Sequence, residues 1–327
     1  MKICMVGDNS FPLDEGMKKT TASLVNVVSK GFDTLVLNPL DAFSIRFWTS
    51  LIRFKPDVIH YVPGPSLKSF LLLWFMRAVT SAKTVMSVTH PDPDLPVRIA
   101  SVFKPDLILT QSKRTETLFN SLGKKHAFLP NGVDTDCFRP VSKQEKAVLR
   151  EKYGIQEDAF VILHVGNTRA IRNLDILKGL NENGMQVVVV SSTTIRGSEE
   201  VHESLRKAGC KIISDYVEHV EEIYQLSDFY LFPTVDHEGA IEHPLSVMEA
   251  MACNLFVGAT NFGALPSIFK SEKGLFFYSS LDELRAIVKT CMQDANPPRT
   301  RDLVIPFSWD QIGSHLMNAY KNINAEG

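Results

Sequence analysis

Short β-rich runs alternate with longer helical patterns along almost all of the 327 residues, and this alternation restricts the fold more than any other feature. In the first half, strands are expected at Lys2–Val6, Thr34–Leu37, Asp57–Tyr61, Thr84–Val88, Asp106–Thr110 and Ala127–Leu129. Helical stretches with apolar residues three or four apart lie between them, as in Ser112–Leu122. The second half repeats the scheme, with strands expected at Phe160–Val165, Val187–Val190, Lys211–Ile213, Phe229–Phe232, Leu255–Val257 and Leu275–Tyr278. Helices fit Glu199–Ala208, Val220–Leu226, Pro244–Ala252 and Leu281–Met292. Such a pattern signals βαβ units, hence a parallel sheet with helices on both faces. Phe54-Lys-Pro-Asp-Val-Ile-His and Phe103-Lys-Pro-Asp-Leu-Ile-Leu repeat one local solution, a helix ended by proline and then a buried strand.

The length suits two domains. A charged stretch from Asp134 to Glu157, carrying Pro140, interrupts the alternation and reads as the region of the boundary. The expected division is 1–140 and 141–307, two doubly wound α/β domains. Hydrophobic residues at 44% and charged residues at 22% are enough to build two cores. A formal net charge of -2 gives no bulk attraction to nucleic acid or anionic membrane, leaving only local basic patches to consider. Cys4, Cys137, Cys210, Cys253 and Cys291 are scattered, fit neither a disulfide framework nor a zinc site, and suit a reducing cytosol. The start reads as a strand rather than a signal peptide, and the apolar run Phe70 to Met76 is far short of a membrane span, so a cytoplasmic location is expected. Ligands of doubly wound sheets bind outside the carboxyl ends of the strands, so the natural expectation is a cleft between the domains.

Several segments resemble glycosyltransferase family 4, whose members are retaining nucleotide-sugar transferases of the GT-B fold. Pro130-Asn-Gly-Val-Asp-Thr-Asp-Cys-Phe-Arg-Pro is similar to the family's inter-domain segment. His164-Val-Gly-Asn-Thr-Arg-Ala-Ile-Arg-Asn resembles its glycine-plus-basic loop. The run from Tyr216 to Thr234, followed by Pro244-Leu-Ser-Val-Met-Glu-Ala-Met-Ala, resembles its donor-binding core. Phe307-Ser-Trp-Asp resembles the entry to a last helix that in this fold crosses back to the first domain, so 308–327 is expected to pack there.

The resemblance implies roles for individual residues. Departure of a nucleoside diphosphate builds negative charge that cations and backbone N–H groups can stabilise. Gly166, Arg169 and Arg172 supply such a loop: Arg172 stands where the family has its lysine, and Arg169 would replace the charge lost at Asn167. The alternative is that both arginines are solvated surface charges. Glu249 matches the second carboxylate of the family's Glu-x(7)-Glu motif, which binds ribose hydroxyls; Ile241 stands at the first position. Glu242 or Glu238 then takes the sugar contact, Glu242 being closer to the helix that Pro244 and Leu245 open, with Pro244 expected in its first turn. His90, after the fourth strand, matches a histidine that contacts the donor sugar, and Gly16 half of a glycine pair that lets backbone approach the donor. Tyr216 and Val217 are expected near the base. Ser267 stands where the family often has glutamate.

Asp134-Thr-Asp136 and Asp92-Pro-Asp94 look like metal ligands in isolation, but the inter-domain motif and turn chemistry account for them. No cofactor or metal is expected. Residues 42–54 mix aromatic side chains with Arg46 and Arg53 at helical spacing, which allows a peripheral membrane contact or an ordinary helix packed on the first sheet. The expected partners are a nucleotide-diphosphate-sugar donor and a glycan, lipid-linked or small-molecule acceptor, with no nucleic acid. The first domain is expected to bind the acceptor and the second the donor. Departures at Asn167, Ile241 and Ser267 keep open a non-catalytic nucleotide-sugar binder of the same fold.

Overall fold

The computed structural model describes residues 1–90, 103, 105–121, 123, 125–181, 184–195 and 197–325. The chain forms two compact units. The first contains Met1–Asn131, a three-residue return at Ile241–His243, and the C-terminal helix from Trp309 onward. The second contains Gly132–Ala240 and Pro244–Ser308.

In the first unit, strands β1 (Lys2–Val6), β2 (Asp33–Leu37), β3 (Val58–Gly64), β4 (Lys83–Val88), β5 (Leu107–Thr110) and β6 (His126–Phe128) form one parallel sheet in the order β2-β1-β3-β4-β5-β6. Helices α1 (Gly16–Ser29), α2 (Ile45–Phe54) and α3 (Leu67–Thr80) connect the first four strands. Phe47 and Leu51 of α2 and Phe70, Leu73 and Met76 of α3 pack against Cys4, Val6, Ile59, Tyr61 and Met86, one face of the sheet. The C-terminal helix Trp309–Ala325 lies against α1. Val27 comes so close to Gly313 that a Cβ there would need the helices to part. Tyr320 reaches the buried His60, its hydroxyl 2.6 Å from Nδ1, while Ser87 Oγ lies 2.7 Å from Nε2.

The second unit repeats the scheme with β7 (Phe160–Gly166), β8 (Met185–Ser191), β9 (Lys211–Ile213), β10 (Phe229–Phe232), β11 (Phe256–Ala259) and β12 (Leu275–Phe277), ordered β12-β11-β10-β7-β8-β9. Alternate residues serve opposite faces: Val161, Leu163, Val188 and Val190 join one core, Ile162, Val187 and Val189 the other. Burial on both faces is why these strands read as unbroken apolar runs.

All twelve expected strands are present, most with ends shifted by one to three residues. The polar stretch 134–157 differs from expectation. It is not a linker but holds a helix, Lys143–Lys152, in the second unit, opened by a capping box in which Ser142 and Glu145 exchange bonds. Lys146 and Arg150 tie it to Asp228 at 2.6 and 2.7 Å, so its charges are the anchors of the helix. The units divide at Asn131–Gly132, ahead of that stretch. Asp92 and Asp94 lie outside the described residues.

Candidate functional site

The strand order of the second unit reverses between β7 and β10, and such a switch point leaves a crevice at the strands' carboxyl ends. The basic loop emerges there. β7 ends at Gly166, with φ +152°, and a Cβ at this position would overlap the Arg172 guanidinium. Glycine is therefore required twice, for the backbone and for the space. Thr168 anchors the loop from behind, its hydroxyl 2.6 Å from His202 Nε2 and 3.3 Å from Ser191 Oγ.

Arg172 ends a short 3₁₀ turn, Ala170–Arg172, and is buried, so the surface-charge alternative fails for it. Its Nη1 donates to the Gly239 carbonyl at 2.9 Å, its guanidinium carbon lies 5.6 Å from the centre of the Phe232 ring, and its Nε has no partner. Burial pulls its pKa below the ordinary arginine value, with the Arg169 charge adding to the effect against two tyrosines. Nearby His164 is held neutral: burial first, then the Arg172 charge, bring its pKa to about 3. A buried cation with donor capacity left over is a stable arrangement chiefly when an anion completes it.

Arg169 is exposed and donates to the Glu238 carbonyl at 3.2 Å. The two arginines thus grip adjacent carbonyls, Glu238 and Gly239, of the 3₁₀ turn His237–Gly239. The Glu238 side chain is exposed. Glu249 lies in the helix Leu245–Ala252 and is buried, accepting the Tyr224 hydroxyl at 2.9 Å, so it is no surface acid. Pro244 caps that helix from outside with ψ 121°, one residue ahead of the expected first turn, because Leu245 begins the helical backbone. Leu245 is buried, Val217 half-buried and Tyr216 exposed.

The first unit gathers its expected residues by main-chain bonds and, at Gly16, by close approach to Ile241. Gly16 opens α1, where Glu15 caps the N-terminus through Met17 and Lys18, and a Cβ on Gly16 would lie 3.3 Å from Ile241 Cδ1. The Glu242 N–H donates to the Thr89 carbonyl at 3.0 Å, which brings this buried glutamate beside half-buried His90. Asn131 locks the segment: its backbone N–H donates to His243 Nδ1 at 3.0 Å and its Nδ2 to the His243 carbonyl at 2.8 Å. Gln111 Nε2 holds the Asn131 side chain at 2.7 Å. Gly16, His90 and Glu242 therefore belong to one cluster, and Glu238 lies in the other unit with Arg169.

Sequence reasoning missed Thr89, Gln111 and His243, and with them the clamp. Its trace was present, since Asn131 follows Pro130 in the inter-domain motif and His243 precedes Pro244. In Asp134-Thr-Asp136, the Asp134 carboxylate accepts the N–H groups of Asp136 and Cys137, which is turn capping.

Two parallel sheets of this order with a final helix returning to the first unit define the GT-B class of glycosyltransferase folds. Comparisons agree with that class. Sucrose-phosphate synthase from Thermosynechococcus elongatus superposes with a TM-score of 0.81 at 13% identity, covering 100% of both chains. Anabaena HepE, solved with UDP, superposes with a TM-score of 0.75 at 14% identity over 98% of this chain and 100% of that one. At such identities the likeness concerns the fold. A glycosyltransferase of Methanocaldococcus jannaschii is 24% identical over 243 residues, 68% of this chain and 61% of that protein. The chain spans 32% to 61% of the length of the curated relatives it matches. Residues 159–294 match the family model for glycosyl transferases group 1.

Proposed function

We propose that this chain transfers a sugar from a nucleoside-diphosphate-sugar to an acceptor hydroxyl, with retention of configuration and without a metal ion. The observation that carries the reading is Arg172, a buried guanidinium with an unpaired Nε at the switch point of the second sheet. As the bond from the anomeric carbon to the diphosphate oxygen breaks, its electron pair moves onto the phosphate, and a cation already desolvated stabilises that charge most. Arg169 adds a second, solvated charge. Glu249 is assigned the ribose hydroxyls, Tyr216 and Val217 the base, and His90 and Glu242 the hydroxyls of the sugar. The acceptor belongs to the first unit in this reading. Its hydroxyl attacks the anomeric carbon on the face the diphosphate leaves, and its proton passes to the departing phosphate oxygen, so no protein nucleophile is required. UDP in the HepE structure supports a nucleotide-sugar donor. A cytoplasmic location is part of this proposal.

The test is a panel of nucleotide-sugars offered without acceptor, followed by both binding and slow release of nucleoside diphosphate. Saturable binding of one donor, with release that Arg172→Ala abolishes and chelators leave unchanged, is the expected result. Binding without turnover, even with glycan and lipid acceptors added, would instead establish a non-catalytic binder. Retention is read from the anomeric configuration of the product.

A further inference from the structure

Helix α3 is strongly apolar, with Lys68 and Arg77 its only charged residues, a composition that normally marks a helix buried over most of its surface. Only one stripe of it is covered: Phe70, Leu73 and Met76 face the sheet. A second stripe at helical spacing, Leu67, Trp74, Phe75 and Val79, faces solvent, with Leu71 half-covered between them. Trp74 is 45% exposed and meets Phe75 and Phe103 edge to face, at 5.0 and 5.7 Å between centroids. The neighbouring α2 repeats this on a smaller scale. It buries Phe47 and Leu51 and leaves Ile45 and Ile52 exposed, and Phe43 just before it is fully exposed. Both helices pack on the same face of the sheet, so their uncovered sides are turned the same way.

We propose that the exposed face of α2 and α3, centred on Phe43, Ile52, Trp74 and Phe75, docks the protein on an anionic lipid bilayer. The charge pattern selects this occupant. Residues 40–83 contain six cations (Arg46, Arg53, Lys55, Lys68, Arg77 and Lys83) and two carboxylates (Asp41 and Asp57), whereas the whole chain has 35 against 37. Arg77 pairs with Asp106 at 3.4 Å, while Arg46, Arg53, Lys55 and Lys68 are exposed around the apolar stripes. At the ends of the two helices a pocket of about 610 Å³ has Ile52 and Val79 beside Lys55, Lys83 and the single carboxylate Asp57. Apolar and tryptophan side chains that enter the headgroup boundary, rimmed by cations that meet anionic lipid, are the elements of interfacial binding. A second copy of the chain fits worse, because a twofold contact through this face would set like charges against each other. No described helix is long and apolar enough to cross a membrane, so the contact is a surface one.

Docking through this face does not depend on which donor the chain uses. The full chain is sedimented with vesicles of phosphatidylcholine alone and of phosphatidylcholine containing one-third phosphatidylglycerol, and tryptophan emission is recorded on binding. The expected result is co-sedimentation with the anionic vesicles and a blue shift that Trp74→Phe removes. Binding should fall at least roughly tenfold in Arg46→Glu/Arg53→Glu and in Trp74→Ser/Phe75→Ser. Circular dichroism and donor binding, unchanged in both variants, show that the fold survives. Protein remaining in the supernatant with both vesicle types overturns the proposal. Binding that ignores the arginine substitutions also overturns it. A concentration-dependent dimer lost in Trp74→Ser/Phe75→Ser, without vesicle binding, assigns the face to a second copy instead.

Discussion

The two units assemble their candidate site residues on opposite plans. In the second, Gly166, Arg169 and Arg172 fall within seven consecutive residues, and the side chains themselves present the charge. In the first, Gly16, Thr89, His90 and Ile241–His243 arrive from three distant segments, Gly16 against the Ile241 side chain and the others held by backbone bonds and the Asn131 clamp. One is a charged loop on a rigid strand end, the other a frame whose value lies in where it holds Glu242. Substitution of the loop's arginines should therefore change chemistry with little effect on folding, whereas breaking the Asn131 clamp should cost stability as well as transfer.

Acid should separate the units most. Burial holds His60 and His243 in the first unit, and His164 in the second, neutral, each with a pKa of about 3. An unfolded histidine takes its proton near pH 6.5, so between pH 6.5 and 3 the unfolded chain binds more protons and stability falls as pH falls. The contribution is complete above pH 6.5. At pH 5 it is reduced by roughly 2 kcal/mol per histidine, hence about 4 kcal/mol in the first unit against about 2 in the second. Hydrogen exchange between pH 7 and 5 should show protection lost first around β3 and the His243 clamp. Equal loss in both units would remove this distinction.

Arg172→Met comes next. Donor hydrolysis should drop roughly a hundredfold to a thousandfold. Thermal stability should hold or rise, because an incompletely paired buried cation is replaced by an apolar chain. A lowered melting temperature would make Arg172 a structural residue and break the contrast. The converse is Asn131→Ala, which removes the bonds to Gln111 and the His243 carbonyl at a cost of about 1–3 kcal/mol. Its affinity for nucleoside diphosphate alone should not change, while transfer to an acceptor should weaken; calorimetry and melting curves measure the two. The smallest effect belongs to Arg169→Ala. An exposed cation in water should contribute about fivefold or less to turnover, and less still at high salt.

The sheets were legible because a strand buried on both faces must be an apolar run, as in Val187-Val-Val-Val, and such a run has few other uses. The helix Lys143–Lys152 escaped for the opposite reason. Apart from Leu149, its hold on the unit is polar, through Lys146 and Arg150 on Asp228, and only the Ser142–Glu145 capping box betrays it in the sequence. Among site residues, the loop from Gly166 to Arg172 was readable as a motif, with Arg172 at the family's lysine position and Arg169 as a substitute for the charge lost at Asn167, yet the motif did not show which of them is buried. Burial distinguishes them, and burial depends on where Gly239 and Phe232 arrive from far along the chain.

The sequence by itself determined the alternation of strands and helices, the glycine-plus-basic loop and the match of residues 159–294 to the group 1 glycosyl transferase model. Local periodicity and contiguous motifs suffice for these, since each depends on residues a few positions apart. Only the tertiary structure decided that Glu242 belongs with His90, that Arg172 is buried and Arg169 is not, and that one side of α3 stays uncovered. These depend on which distant segments meet, and a chain's own spacing carries no record of a hydrogen bond from residue 242 to residue 89.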